Sequence, residues 1–142
     1  MPRKHLILAA AALAFAAFTV GGAAFAQNLP TFVTQTKGLK RIPLQKFDVP
    51  PGEREVVSAI AEIAPNTDVA RHTHPGPETD YVLDGDLALT VGDEAPKMYK
   101  AGDSFWVAAN TPHAAHSGAN GAKVLAVYIV EKGKPLASPA PK

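Results

Sequence analysis

Residues 66–85 read NTDVARHTHPGPETDYVLDG, and this stretch decides both the fold and the chemistry of the chain. Residues 69–74 read as a short strand, on which residues i and i+2 share a face, so His72 and His74 project side by side. Pro75, Gly76 and Pro77 break that strand and predict a turn. The turn brings Glu78 back toward the two imidazoles. Two neutral imidazoles and a carboxylate suit a divalent transition metal. A second segment supplies His113 as a further candidate. Of the five histidines, His72, His74, His113 and His116 all fall in these two segments; the fifth is His5.

Working outward, residues 41–131 read as repeated short strands punctuated by turns. The candidate strands are 42–47, 55–63, 69–74, 79–83, 86–91, 97–99, 104–107, 112–117 and 122–131. Pro50-Pro51-Gly52, Pro65-Asn66, Gly92-Asp93, Ala101-Gly102-Asp103 and Asn120-Gly121 mark turns. Asp84-Gly85, flanked by Tyr81-Val82-Leu83 and Leu87-Ala88-Leu89, predicts a two-residue hairpin. Regular short strands without a long helical period predict an all-β sandwich or barrel.

The two histidine segments resemble the paired motifs of the cupin superfamily. His72-x-His74-x3-Glu78-x6-Gly85 is similar to the first motif, and Gly102-x5-Ala108-x-Asn110-x2-His113 to the second, with residues 86–101 between them. Asn66, Ala108, Asn110 and Ser117 depart from the usual pattern, none at a ligand position. Asn replaces Gly readily at a turn because it tolerates left-handed φ. The resemblance covers roughly residues 42–131. It implies a small single-domain protein with a double-sheet jelly-roll barrel. It also implies a mononuclear site in which His72, His74, Glu78 and His113 hold one divalent metal ion. Such a donor set accepts Fe, Mn, Zn, Ni or Cu and leaves positions open for water, substrate or dioxygen.

The flanks read differently. Arg3, Lys4 and His5 precede an uncharged run, residues 6–26, that ends in Ala24-Phe25-Ala26. This is the pattern of a signal peptide cleaved before Gln27, which predicts a periplasmic or secreted protein with no stable membrane association. Residues 27–41 read as an N-terminal arm, either a loose leader or an edge strand for a partner subunit. Residues 132–142, with three prolines and three lysines, read as a disordered tail. A net charge of +1 gives no footprint for nucleic acid. The absence of cysteine excludes disulfides and thiolate chemistry.

Six further positions bear on the site. His116 lies three residues after His113, so a regular strand turns it to the opposite face. Asp80 follows Glu78 by two. It shares the inward face if the strand starts regularly, and faces water if the proline turn displaces the register. Inward, it is a catalytic candidate, as a general base or as a partner for a ligand imidazole. Phe105, Trp106 and Tyr128 read as core. Arg71 alternates with His72 and points away, so no basic cluster is expected beside the ligands.

Because one fold hosts many chemistries, three functions are consistent with the sequence. The first is a metal-dependent oxygenase, dioxygenase-like, acting on a small-molecule substrate. The others are a metal-dependent isomerase or decarboxylase, and a non-catalytic small-ligand or metal-binding module. The resemblance also implies a homodimer, with the edge at 31–34 or 42–47 needing cover.

Overall fold

The computed structural model describes residues 34–140. The expected signal segment 1–26 and residues 27–33 of the expected arm lie outside the described residues. Every regular element within them is a strand: β1 (Thr34–Thr36), β2 (Leu39–Val49), β3 (Arg54–Ile63), β4 (Asp68–Thr73), β5 (Glu78–Val91), β6 (Lys97–Lys100), β7 (Ser104–Val107), β8 (His113–Glu131) and β9 (Ser138–Pro139).

All pairings are antiparallel. Two long strands, β5 and β8, organise the rest. The second half of β8 lies between β3 and the first half of β5, which also pairs with β7. The first half of β8 lies between β4 and the second half of β5, which pairs with β6. One bent β5–β8 pair therefore serves two facing sheets, and their inner faces enclose a jelly-roll core. Leu39, Ile63, Val82, Leu87, Leu89, Val107 and Val124 fill it. Alternation on β5 sends Glu78, Asp80 and Val82 inward and Thr79 and Tyr81 outward.

The bend corrects the expected hairpin at Asp84-Gly85. Gly85 has φ 71°, but the chain continues through it as one strand with irregular register on both sides. Positive φ at glycine suits a tight turn and a bulge equally. A Cβ at Gly85 would collide with the carbonyl of Gly121 on the neighbouring strand. The expected break at Asn120-Gly121 is likewise continuous within β8. At the motif departures, Asn66 and Asn110 adopt φ 49° and 57°, as their tolerance of left-handed backbone predicts. Ser117 is fully buried, where its hydroxyl donates to the Ala64 carbonyl and accepts from the Thr67 amide.

Three other expectations change. Strand pairing begins at Thr34, so residues 34–41 of the expected arm belong to the sheet. Trp106 is 68% exposed, whereas Phe105 and Tyr128 pack inward. Alternation on β7 allows Phe105 and Val107 to face the core but not Trp106 between them. The expected disordered tail is ordered through residue 140. Leu136 packs on Val57, Ala126, Tyr128 and Val130, β9 pairs with β4, and the Ala140 amide bonds the Arg71 carbonyl. Backbone pairing and one leucine anchor this segment despite its polar composition.

The bend makes a direct prediction. Gly85→Ala should cost about 3 kcal/mol or more in urea unfolding, because collision adds to left-handed strain. Gly92→Ala, at φ 56° with open space around the new Cβ, should cost only about 1 kcal/mol.

Candidate metal centre

Glu78 and Val91 are opposite ends of β5; His113 and Glu131 are opposite ends of β8. The bend folds these ends over each other. His113, paired in register with His72 and Val91, then faces Glu78, paired with Tyr128. The Pro75–Pro77 turn returns the chain as its sequence predicts. Gly76 sits so close to the Ile129 carbonyl that a Cβ would collide with it, and the Ile129 amide donates to Pro77 O at 3.0 Å. The turn is thereby pressed onto β8 and fixes where β5 starts.

The four side chains meet. His72 Nε2 lies 3.1 Å from His74 Nε2. Glu78 Oε2 lies 3.2 Å from His74 Nε2, and Glu78 Oε1 lies 2.9 Å from His113 Nε2. Ligand nitrogens of the three histidines fall within 4.8 Å of one another. His74, Glu78 and His113 are buried, and His72 is half-buried.

Backbone carbonyls fix the imidazoles. Nδ1 of His72 donates to Ala70 O at 2.7 Å, Nδ1 of His113 to Thr111 O at 2.9 Å, and Nδ1 of His74 to Leu136 O. A carbonyl only accepts, so each Nδ1 carries the proton and each neutral ring presents its Nε2 lone pair to the common centre. Two such lone pairs at 3.1 Å repel unless a cation stands between them. Ligands about 2.1 Å from a six-coordinate ion lie about 3 Å apart, which matches the spacing. The three imidazoles can therefore hold a metal ion, and Glu78 is placed to add a carboxylate.

Without an ion, protons do part of this work. Burial opposes ionisation of Glu78, but hydrogen bonds from His113 and His74 outweigh it and bring the carboxyl down to about 2. Burial opposes charge on His113 too, yet the Glu78 carboxylate raises its pKa. Burial and the neighbouring His113 bring His72 down to about 4, so it stays neutral.

Asp80 faces inward, which decides between the two orientations open from the sequence. It is buried between Phe105 and Ala126 on the flanking strands. Burial, and then the Glu78 charge, push its carboxyl up to about 9 against the opposing influence of Arg41. Together with His72, Glu78 and His113 it lines an inner chamber of about 60 Å³, walled by Leu87, Leu89, Phe105 and Val124. Arg41 lines the same chamber, a single basic residue not singled out from the sequence. Its signal was the alternation Leu39-x-Arg41, hidden because this stretch read as arm. Arg71 does turn away, to the Gly92 carbonyl at 2.8 Å. His116 is exposed and bonds Asp68 at 2.7 Å.

Comparison with known proteins agrees with this architecture. Residues 59–130 match the cupin domain family. An H2HPP isomerase of Bacillus subtilis is 30% identical over 90 residues, which are 62% of this chain and 37% of that protein. The chain thus spans little more than a third of that curated relative. An RmlC-like cupin from Shewanella frigidimarina superposes with a TM-score of 0.59 at 22% identity, over 76% of this chain and 87% of its own. A single-substitution variant of B. subtilis oxalate decarboxylase gives 0.61 at 20% identity, over 75% of this chain and 29% of that one.

Metal content of purified variants tests the centre. His72→Ala, His74→Ala, His113→Ala and Glu78→Ala should each lose the ion by elemental analysis, and His116→Ala should retain it. Full occupancy in His113→Ala would remove that residue from the ligand set. Truncation before Leu136 deletes the carbonyl that orients His74, and should weaken metal binding about tenfold.

Proposed function

Because the chain belongs to the cupin domain family, we propose that it is a metal-dependent enzyme that moves a proton on a small organic substrate, an isomerase or decarboxylase. The observation that carries this reading is the position of Asp80. It is a buried carboxyl group on the strand of Glu78, and it faces the same chamber as His72 and His113. His72, His74, His113 and Glu78 would hold the ion, which supplies Lewis-acid polarisation of a bound oxygen. Asp80 takes a proton from the substrate or returns one to it. Both reaction classes need such a carrier: isomerisation moves a proton between two atoms, and decarboxylation delivers one to the carbon that loses carbon dioxide. Leu87, Leu89, Phe105 and Val124 give that exchange an apolar wall. The B. subtilis relative, an isomerase by name, supports the same class.

A metal-dependent oxygenase is the second candidate. It is favoured by the donor set, since three imidazoles and one carboxylate leave open positions on a five- or six-coordinate ion.

One experiment separates them. Metal-loaded protein in deuterated water, with a panel of enolisable carbonyl compounds, should incorporate deuterium at the same rate with and without air. Asp80→Asn should slow incorporation about a hundredfold while keeping the metal. Oxygen uptake coupled to turnover, with no reaction under anoxia, would select the oxygenase. Tight ligand retention without turnover would select a binding module.

We also propose a homodimer. The outer face of the sheet formed by β2, β3, β8, β5 and β7 exposes Phe47, Tyr81, Trp106 and Ile129 at outward positions. Aligned exposed aromatics mark interaction surfaces. Light scattering should give twice the chain mass, and Trp106→Glu should give monomers with unchanged metal content. A monomeric wild type at high concentration would reject the dimer.

A further inference from the structure

Arg41 is a cation inside the barrel without a matching anion. On β2 it pairs with Ala61 and follows Leu39 by two, so it lies on the core-facing side of the strand. Its Nε is fully buried and has no hydrogen-bond partner. The guanidinium stands beside the Tyr128 hydroxyl, but among the described residues it makes no ion pair. The nearby carboxylates are otherwise engaged or differently placed. Glu78 is held by His74 and His113, and Glu55 by Lys46 at 2.8 Å. Asp80 lines the inner chamber close enough to Arg41 to feel its charge, but the two form no ion pair. The side chain is half-buried and its charge has no ion pair among the described residues, so an anion from outside the chain would supply the missing compensation.

Three cavities border this residue, and two of them bear on the site. One is the inner chamber. The other is an outer cavity of about 300 Å³ lined by Arg41, Lys46, Glu55, Lys134 and Leu136. Lys46 and Glu55 neutralise each other, which leaves Arg41 and Lys134 as the net positive charge of this cavity, and such charge attracts anions. The inner chamber holds about the volume of two waters, so only the reacting end of a substrate fits there.

We propose that Arg41 binds the carboxylate of the substrate at the junction of the two cavities. This inference rests on the reading of the inner chamber as a metal-dependent active site, and it names the substrate class as a small carboxylic acid. The planar guanidinium offers paired N–H donors that match a carboxylate, and the side chain lines both cavities from which a carboxylate would approach. A carboxylate anchored there leaves the adjacent carbons directed toward Asp80 and the histidines. One guanidinium with Asp80 nearby favours a monoanion over a phosphate dianion.

Ligand-observed NMR titration of the purified protein with propanoate, its neutral isostere propanamide and inorganic phosphate tests the anchor. Wild type should bind propanoate at least about tenfold more tightly than propanamide and than phosphate. Arg41→Met should bring the propanoate preference below about twofold, with metal content and melting temperature kept. Arg41→Lys, which retains the charge without the fork, should fall between. Equal affinity for acid and amide in the wild type overturns the proposal. So does a preference that survives in Arg41→Met, which would assign the anion to the metal, and so does tighter binding of phosphate. The titration needs no turnover. A lost preference in Arg41→Met alongside failed deuterium exchange in the wild type would reject the enzymatic reading and leave the anion site standing. Exchange without any carboxylate preference would do the reverse.

Discussion

The structure depends on holding three imidazole lone pairs toward one point. His72 and His74 present Nε2 to each other at 3.1 Å while their Nδ1 protons are committed to backbone carbonyls. Neither ring can rotate away without leaving a buried donor unmet, and neither can donate to the other. The orienting carbonyls come from Ala70 on β4, Thr111 before β8, and Leu136 in the C-terminal segment. An ion at the centre would therefore tie together three segments far apart in the chain. Binding energy at such a site is also folding energy, because the unfolded chain offers no comparable cradle.

The barrel meets this demand through geometry. A flat β5–β8 pair would hold Glu78 and His113 at opposite ends of the ladder. The bend at Gly85, packed against Gly121, lets one strand pair belong to both sheets and lays those ends over one another. The contact of 2.9 Å between Glu78 and His113 is thus a consequence of two glycines that lie further along the same two strands. A second constraint, the contact of Gly76 with the β8 backbone, sets the start of β5. Together they fix which residues of β5 face the centre, and so bring Asp80 in with Glu78.

Much of this was legible in the sequence, and the remainder was hidden for physical reasons. His-x-His on a strand, a proline turn and Glu78 announce themselves because period and turn chemistry are local. The all-β class follows from the same local signals. The bend was not legible as a bend, since Asp-Gly at positive φ serves a hairpin as well as a bulge. Trp106 was misplaced because two-sided burial of short strands erases the alternation that would have assigned it. The segment 132–140 is held by backbone pairing and one leucine, and composition carries almost no trace of backbone pairing. Arg41 was hidden because a charged residue in a stretch read as an arm is taken as solvated unless the strand around it is known.

Asp80 and Arg41 distinguish this barrel from a bare metal cradle. Each occupies an inward position that alternation would ordinarily give to an apolar side chain. A buried aliphatic there would contribute about 1.5–3 kcal/mol of hydrophobic stabilisation, whereas a buried ionisable group is penalised for losing water. The ion cradle does not require either residue, since its donor atoms come from His72, His74, His113 and Glu78. Nor does the core require them, because Val82 and Leu39, two residues along the same strands, satisfy the same packing environment. Stability alone would replace both. Local violations of the packing pattern that gather at one cavity are the mark of a site shaped by function. Here they lie around a single chamber, one able to carry a proton and the other able to hold an anion.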